Sequence, residues 1–97
     1  MSRPVIIEKE MGVTHEEFFR VMARALNGRK HAIKPGGVVI DDGRQRLEIA
    51  ISEESRRKIA LFSLPVTQVK LTFDGYAATE IDETIAWFDH HFRRGGG

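Results

Sequence analysis

Residues 37–74 have the sequence GVVIDDGRQRLEIAISEESRRKIALFSLPVTQVKLTFD, in which apolar and polar side chains alternate over four short runs. A period of two is typical of β-strands that bury one face of their sheet. One predicted face is apolar and carries Val38, Leu47, Ile49, Ile51, Ile59, Leu61, Val69, Leu71 and Phe73. The second, which we call the predicted polar face, carries Arg46, Glu48, Ala50, Lys58, Ala60, Phe62, Gln68, Lys70 and Thr72.

The connections between these strands set the predicted register. Asp42-Gly43 predicts a two-residue hairpin turn, and three-residue loops are predicted at residues 53–55 and 64–66. With these loops, Ile49 lies opposite Ile59, and Phe62 lies on the predicted polar face. The same register places Ala50 and Ala60 beside Phe62.

One amphipathic helix is predicted before the four strands in the sequence and another after them. Thr14 and Glu17 form the sequence pattern of a capping box, so the first helix is expected near residues 14–27. The second is expected near residues 79–93, with Asp82 as the capping partner of Thr79. Residues 29–36 are expected to form a basic loop.

A short strand at residues 4–9 completes the predicted order, β-α-β-β-β-β-α. This order predicts an α+β two-layer sandwich, an antiparallel sheet with two helices packed on one face. The first strand is expected to pair antiparallel with the last, and the two helices to be antiparallel to each other. The order resembles one repeat of the TATA-box-binding-protein fold, which implies a curved sheet with helices on one side and does not by itself imply a function.

Composition places the chain among ordinary soluble globular proteins. Its 97 residues are 41% hydrophobic and 30% charged, with a formal net charge of +1. We expect a single domain over residues 1–94 and a flexible glycine tail over residues 95–97. The absence of cysteine excludes disulfides and favours a cytoplasmic location. We expect no cofactor, no membrane association and no catalytic activity.

The predicted polar face is the main candidate for function. Two alanines leave the backbone approachable there, and an aromatic ring stands beside them, as in surfaces that dock on another sheet. Trp87 is expected to pack over the first helix, although tryptophan is also enriched at binding sites. The hypothesis is a small interaction module that binds another protein or, preferentially, a second copy of itself. The predicted partner-binding residues are Ala50, Ala60, Phe62, Lys58, Lys70, Gln68 and Trp87.

The first alternative is a nucleic-acid-binding module that uses basic loops together with the predicted polar face of the sheet. Arg29 and Lys30 follow the first helix, Arg56 and Arg57 lie near the second hairpin, and all four are expected at one end of the sheet. Unopposed basic groups at one end would contact phosphates. Acidic residues expected at the same end would cancel this charge, so nucleic acid is possible but not favoured.

The second alternative is a metal-assisted enzyme. Antiparallel helices would bring His15 close to His91 and Asp89, which are the side-chain types that hold divalent metals or act as general bases. The adjacent His90 and His91 do not have the spacing of a paired ligand on a helix, so these residues are weak candidates and no metal is expected.

Overall fold

The computed structural model describes residues 3–95. Its elements are β1 (Val5–Met11), α1 (His15–Ala25), β2 (Ala32–Lys34), β3 (Gly37–Asp41), β4 (Arg46–Ile51), β5 (Ser55–Ile59), β6 (Phe62–Asp74) and α2 (Ala78–Gly95). The α+β sandwich with an antiparallel sheet and two packed helices is confirmed. The sheet has one strand more than the sequence predicts, because β2 forms where a loop is expected.

The main sheet has the strand order β1-β6-β4-β3-β2. β1 pairs antiparallel with β6, with Val5 opposite Phe73, so the predicted pairing of the first and last strands is confirmed. β4 lies directly against β6 on the other side, and Ile49 is opposite Leu71. This register aligns the apolar residues of four strands on one side of the sheet.

One hydrophobic core lies between the sheet and both helices. It consists of Val13, Phe18, Met22, Leu26, Val38, Ile40, Leu47, Ile49, Val69, Leu71, Phe73, Ile81, Phe88 and Phe92. Phe18 stacks on Phe92 at 5.7 Å between ring centroids, while Arg29, beyond the end of α1, lies over Trp87. Because the contacts run in opposite senses along the two helices, the helices are antiparallel, as predicted.

The predicted position of β5 is wrong. β5 does not lie beside β4 but pairs with the first five residues of β6, from Ser55 opposite Val66 to Ile59 opposite Phe62. The turn between them is Ala60-Leu61, and residues 64–66, where a loop is predicted, lie inside a strand of 13 residues. Ile59 and Leu61 are therefore exposed and do not join the core.

The physical reason lies in the composition of β5 and in its edge position. Its sequence, SRRKI, has a single apolar residue, so placing it in the main sheet would bury almost nothing. Pro65 lacks an N–H group, but proline is tolerated in an edge strand. The sequence does not mark this turn, because the residue that adopts the positive φ of 54° is Ala60 and not a glycine.

Three smaller expectations also differ from the structure. The first hairpin loop has four residues rather than two, because Asp41 pairs with Arg46. α2 begins at Ala78, and Glu80, not Asp82, caps it by accepting a hydrogen bond from the Ala77 N–H at 2.8 Å. α2 also extends to Gly95, one residue into the predicted tail, and residues 96–97 lie outside the described residues. Thr14 caps α1 as predicted, with the Glu17 N–H donating to Thr14 Oγ1 at 3.0 Å.

We call the side of the main sheet away from the helices the open face. We call β5, the Ala60-Leu61 turn and residues 62–66 of β6 the arm. Residues 62–66 of β6 extend beyond the main sheet, so the arm projects from it. The chain is correspondingly elongated and measures 49 × 27 × 23 Å. Because side chains alternate along a strand, Phe62 and Leu64 point to the same side of β6 as Gln68.

Candidate functional site

The arm carries a cluster of exposed apolar side chains. Leu61 is 100% exposed, Phe62 70%, Ile59 52% and Leu64 48%. The other exposed large apolar residues within residues 3–95 are Val5, Ile6 and Ile33, which lie on the two edge strands of the main sheet. An exposed apolar cluster on a soluble protein is typical of a binding surface.

The two faces of the arm differ in chemistry. Ile59 is opposite Phe62, and Leu64 is opposite Arg57, so these four side chains share one face. We call it the apolar arm face. The other face carries Lys58 opposite Ser63 and Arg56 opposite Pro65. The alternation of the strands thus separates the apolar side chains of the arm from two of its three basic side chains.

Arg57, the one charged residue on the apolar arm face, is neutralised within the chain. Its guanidinium lies 3.1 Å from a carboxylate oxygen of Glu10 on β1. Hydrogen bonds from Gln68 and Arg57, together with the charge of Arg57, lower the pKa of Glu10 below its usual range. This exposed ion pair connects the arm to the main sheet and keeps Glu10 ionised.

A depression of about 200 Å³ lies at the base of the arm, where β1 ends and β6 continues. It is lined by Glu10, Met11, Gly12, Arg57, Ile59, Leu64, Pro65 and Val66. Its floor exists because β1 stops at Met11, opposite Thr67, and leaves the next residues of β6 without a neighbour on that side. The depression adjoins the apolar arm face, since Ile59 and Leu64 belong to both.

The predicted partner-binding residues of the sheet fall into two separate groups. Ala50, Gln68 and Lys70 lie on the open face of the main sheet, whereas Lys58, Ala60 and Phe62 lie on the arm. Phe62 and Lys70 are eight residues apart along one strand, which corresponds to about 26 Å. The expected position of Phe62 beside Ala50 is therefore wrong, although Phe62 stays close to Ala60 on the arm and lies on the expected side of β6.

The open face around Ala50 is smooth but shallow. Ala50 is paired with Lys70 on one side and with Gly37 on the other. Depressions of about 330 and 210 Å³ flank it, and both include Ala50 in their linings. The open face therefore offers backbone and charged groups, while the large apolar side chains are on the arm.

Trp87 is on the helix layer, away from the open face. It is partly buried against the core, contacts the His91 ring edge-to-face at 5.3 Å and stacks beneath the Arg29 guanidinium at 5.6 Å. Trp87 therefore packs at the edge of the core beside the segment that follows α1. It does not share a surface with the other predicted partner-binding residues.

The two predicted basic clusters lie at opposite ends of the molecule. His15, at the start of α1, contacts the Ser52 carbonyl at 2.7 Å near the base of the arm. Arg29 follows the other end of α1 and lies near Tyr76. Burial raises the pKa of Tyr76, and the positive charge of Arg29 opposes this rise. Lys30 follows Arg29, so both are remote from Arg56 and Arg57. The expectation that all four lie together is wrong, because β5 projects away from the main sheet.

The structure does not bring the weak metal candidates together. Asp89 forms an ion pair with Lys9 at 3.1 Å, His15 contacts Ser52, and His91 packs on Trp87. Across residues 3–95 there is no group of three or more His, Cys, Asp or Glu side chains that could hold a metal ion.

Sequence reasoning missed Ile59, Leu61 and Leu64 as surface residues. Their apolar character assigned Ile59 and Leu61 to the core, although three consecutive basic residues precede Ile59 and none could face a core. The run SRRK next to apolar residues, with a proline on the returning strand, is the signal that could have identified an arm.

Searches for similar proteins give no family for this chain. No protein-family model matches it, and neither the curated proteins nor the solved structures contain a match. Within residues 3–95, neither helix combines the length and the apolar character that crossing a membrane requires.

Proposed function

We propose that this chain is a cytoplasmic protein-interaction module that self-associates through the arm. The observation that carries the proposal is the cluster of Ile59, Leu61, Phe62 and Leu64, which is exposed to water on a projecting hairpin. Burying such side chains against a partner is favourable, by roughly 25 cal/mol per Å² of apolar surface. The lack of cysteine supports a reducing compartment.

The arm supports this function better than the open face of the main sheet does. On the open face, Arg46 forms ion pairs with Asp41 and Glu48. Gln68 donates a hydrogen bond to Glu10. Groups that are already paired gain little from a partner and lose hydration when they are buried. The apolar side chains on the arm have no comparable loss.

Sedimentation velocity over a dilution series tests self-association. Wild-type protein should show a monomer–dimer equilibrium, and Phe62→Asp should weaken it by roughly 30-fold or more, the effect of removing one residue central to an interface. Because Phe62 is largely exposed, the substitution leaves the fold intact.

Ser63→Asp is the matched control, since it adds the same charge one residue away on the other face of the arm. It should dimerise like the wild type. A wild-type protein that stays monomeric at high concentration, or a Phe62→Asp variant that dimerises normally, would contradict the proposal.

Nucleic-acid binding is the second candidate, and one observation favours it. Two of the acidic residues expected to offset Arg56 and Lys58 lie away from the arm, since Asp74 pairs in register with Arg46 and Glu80 caps α2 at Ala77. Oligonucleotide binding would then fall steeply with added salt, and Arg56→Gln with Lys58→Gln would reduce the salt slope by about one per charge removed. Absence of binding at low salt excludes this candidate.

A further inference from the structure

We infer that two copies of this chain pair arm to arm, antiparallel and face to face. In this arrangement the Leu61 tip of each arm occupies the depression at the base of the other arm. The inference rests on the proposed self-association and adds its geometry: a two-fold axis passes close to Leu64, and both contacts form at once. The occupant of the base depression is thus a second copy of the same chain.

The free edge of β5 is unsuitable for pairing. Within residues 3–95 the only neighbour of β5 is β6, so its outer edge is open. Two β5 strands paired antiparallel about Arg57 would set Arg56 against Lys58 and Arg57 against its own copy. Like charges directly opposite each other destabilise a sheet, and basic residues on an edge strand prevent such pairing.

The free edge of the arm on the β6 side is unsuitable for a different reason. Pro65 is the fourth of the five arm residues of β6 and has no N–H to donate to an added strand. Proline on an edge interrupts the ladder that a partner strand needs. Both edges are therefore protected, which leaves the faces of the arm as its docking surfaces.

The distribution of charge selects one of these two faces. Lys58 and Arg56 lie on the same face, so two copies packed through it would bring four positive charges together. The apolar arm face has only Arg57, whose charge is already paired with Glu10 at 3.1 Å. Two copies can thus pack through the apolar arm face without burying an unpaired charge.

The tip and the base depression have the separation that a two-fold axis requires. Leu61 lies three residues from Leu64, about 10 Å along the strand. An axis near Leu64 places the partner's tip the same distance toward the base, at the level of Thr67. β1 ends there, opposite Thr67, and opens the depression of about 200 Å³. In such a dimer the fully exposed Leu61 of each arm lies at the level of the other arm's recess, which Met11, Ile59, Leu64 and Val66 line together with the Glu10–Arg57 ion pair.

The size of the contact predicts a weak dimer. A fully exposed large side chain has roughly 150–250 Å² of surface, so the four apolar residues at their observed exposures present on the order of 450 Å² per arm. Two arms would bury about 900 Å², near the lower limit for a specific interface. The two-fold arrangement closes on itself, so association stops at the dimer.

Cysteine cross-linking tests this geometry, because the chain has no cysteine of its own. A mixture of Leu61→Cys and Gly12→Cys proteins, treated with a short bis-maleimide, should give the mixed dimer. Leu61→Cys alone should not cross-link, since two tips three residues on either side of the axis are about 20 Å apart. Leu64→Cys alone should cross-link to itself, and Ser63→Cys, on the other face of the arm, should not.

The possible outcomes separate the geometry from the function. Two results in a wild-type protein that dimerises would overturn the proposed arm geometry and leave self-association intact. One is cross-linking of Leu61→Cys to itself. The other is failure of the mixed dimer to form while Leu64→Cys also stays unlinked. If the wild type is monomeric at every concentration, both fall. In that case, Phe62-dependent binding to vesicles containing phosphatidylserine would assign the apolar arm face to a membrane surface. Binding of a duplex oligonucleotide that Arg56→Gln with Lys58→Gln abolishes would instead assign the opposite, basic face of the arm to nucleic acid.

Discussion

Gly37 is the residue at which the backbone of the main sheet depends most directly on the absence of a side chain. It has a φ of +150°, and a Cβ atom at this position would clash with the Ile49 carbonyl oxygen. The neighbouring strand cannot yield, because Ile49 is buried in the core. The glycine therefore sets the close contact of β3 with β4 beside Ala50.

Gly37→Ala is expected to destabilise the fold by about 2–4 kcal/mol, because the added methyl group meets backbone that cannot move without disrupting the core. Gly36→Ala is the matched control, since a Cβ atom there has no neighbour within 4 Å. Its effect should stay within about 0.5 kcal/mol. Urea denaturation of the two variants measures both values, and equal stability would contradict the steric argument.

At the scale of elements, the arm is the part of the fold that the sequence predicts least well. The predicted register depended on matching apolar residues across three successive hairpins, and it correctly placed Leu47, Ile49 and Leu71 on the core side. It failed at β5 because the matching assumes that each strand joins one sheet. A turn formed by Ala60 and Leu61 has no glycine, asparagine or proline to reveal it.

Ala60→Gly should stabilise the arm, because glycine adopts a positive φ without the steric cost that alanine has there. The arm should gain about 0.5–1 kcal/mol of stability against local unfolding. Slower amide hydrogen exchange across residues 55–66 would measure this gain. Ala50→Gly, the same change inside β4, should instead destabilise by about 0.5–1 kcal/mol. Faster exchange in the arm of Ala60→Gly would show that the turn is not strained.

The start of α2 should depend on pH through Glu80. The hydrogen bond from the Ala77 N–H, followed by one with Gln45, lowers the pKa of Glu80 below its usual 4.5. A lowered folded-state pKa means that the stabilisation is complete above about pH 4.5 and is lost as the pH falls through the lowered value. Glu80→Gln should therefore be less stable than the wild type at pH 7 and equal to it in strong acid.

Thermal unfolding of the wild type and Glu80→Gln across this pH range measures the effect. Glu83→Gln removes a charge further along the same helix and separates the local hydrogen bond from the change in net charge. A stability difference that persists unchanged at low pH would contradict a role for the ionised carboxylate.

At the scale of the whole molecule, the sequence predicts the layers correctly because their cause is local and periodic. Alternation in β4 and β6, and helical spacing in α1 and α2, each define one apolar side, and only a two-layer sandwich buries all four. The position of the arm relative to this sandwich has no such periodic cause. It follows from the low apolar content of β5 and from the length of β6, which extends past both of its neighbours.

The candidate site, like the position of the arm, can be predicted only in part from the sequence. Phe62 and Lys58 are identified from the sequence, but which residues lie beside them depends on the strand that β5 pairs with. Once β5 pairs with the start of β6, Phe62 leaves the neighbourhood of Ala50 and joins Ile59 and Leu64. The proposed interaction surface is therefore a consequence of the topology rather than of any motif.

Backbone amide NMR spectra over a dilution series test most directly whether the apolar arm face is the self-association surface. Signals of residues 57–64 and of residues 10–12 at the base depression should shift with concentration, while those of Thr72 and Trp87 should stay constant. Spectra that do not change with concentration, or shifts confined to the open face around Ala50 and Lys70, would contradict association through the arm.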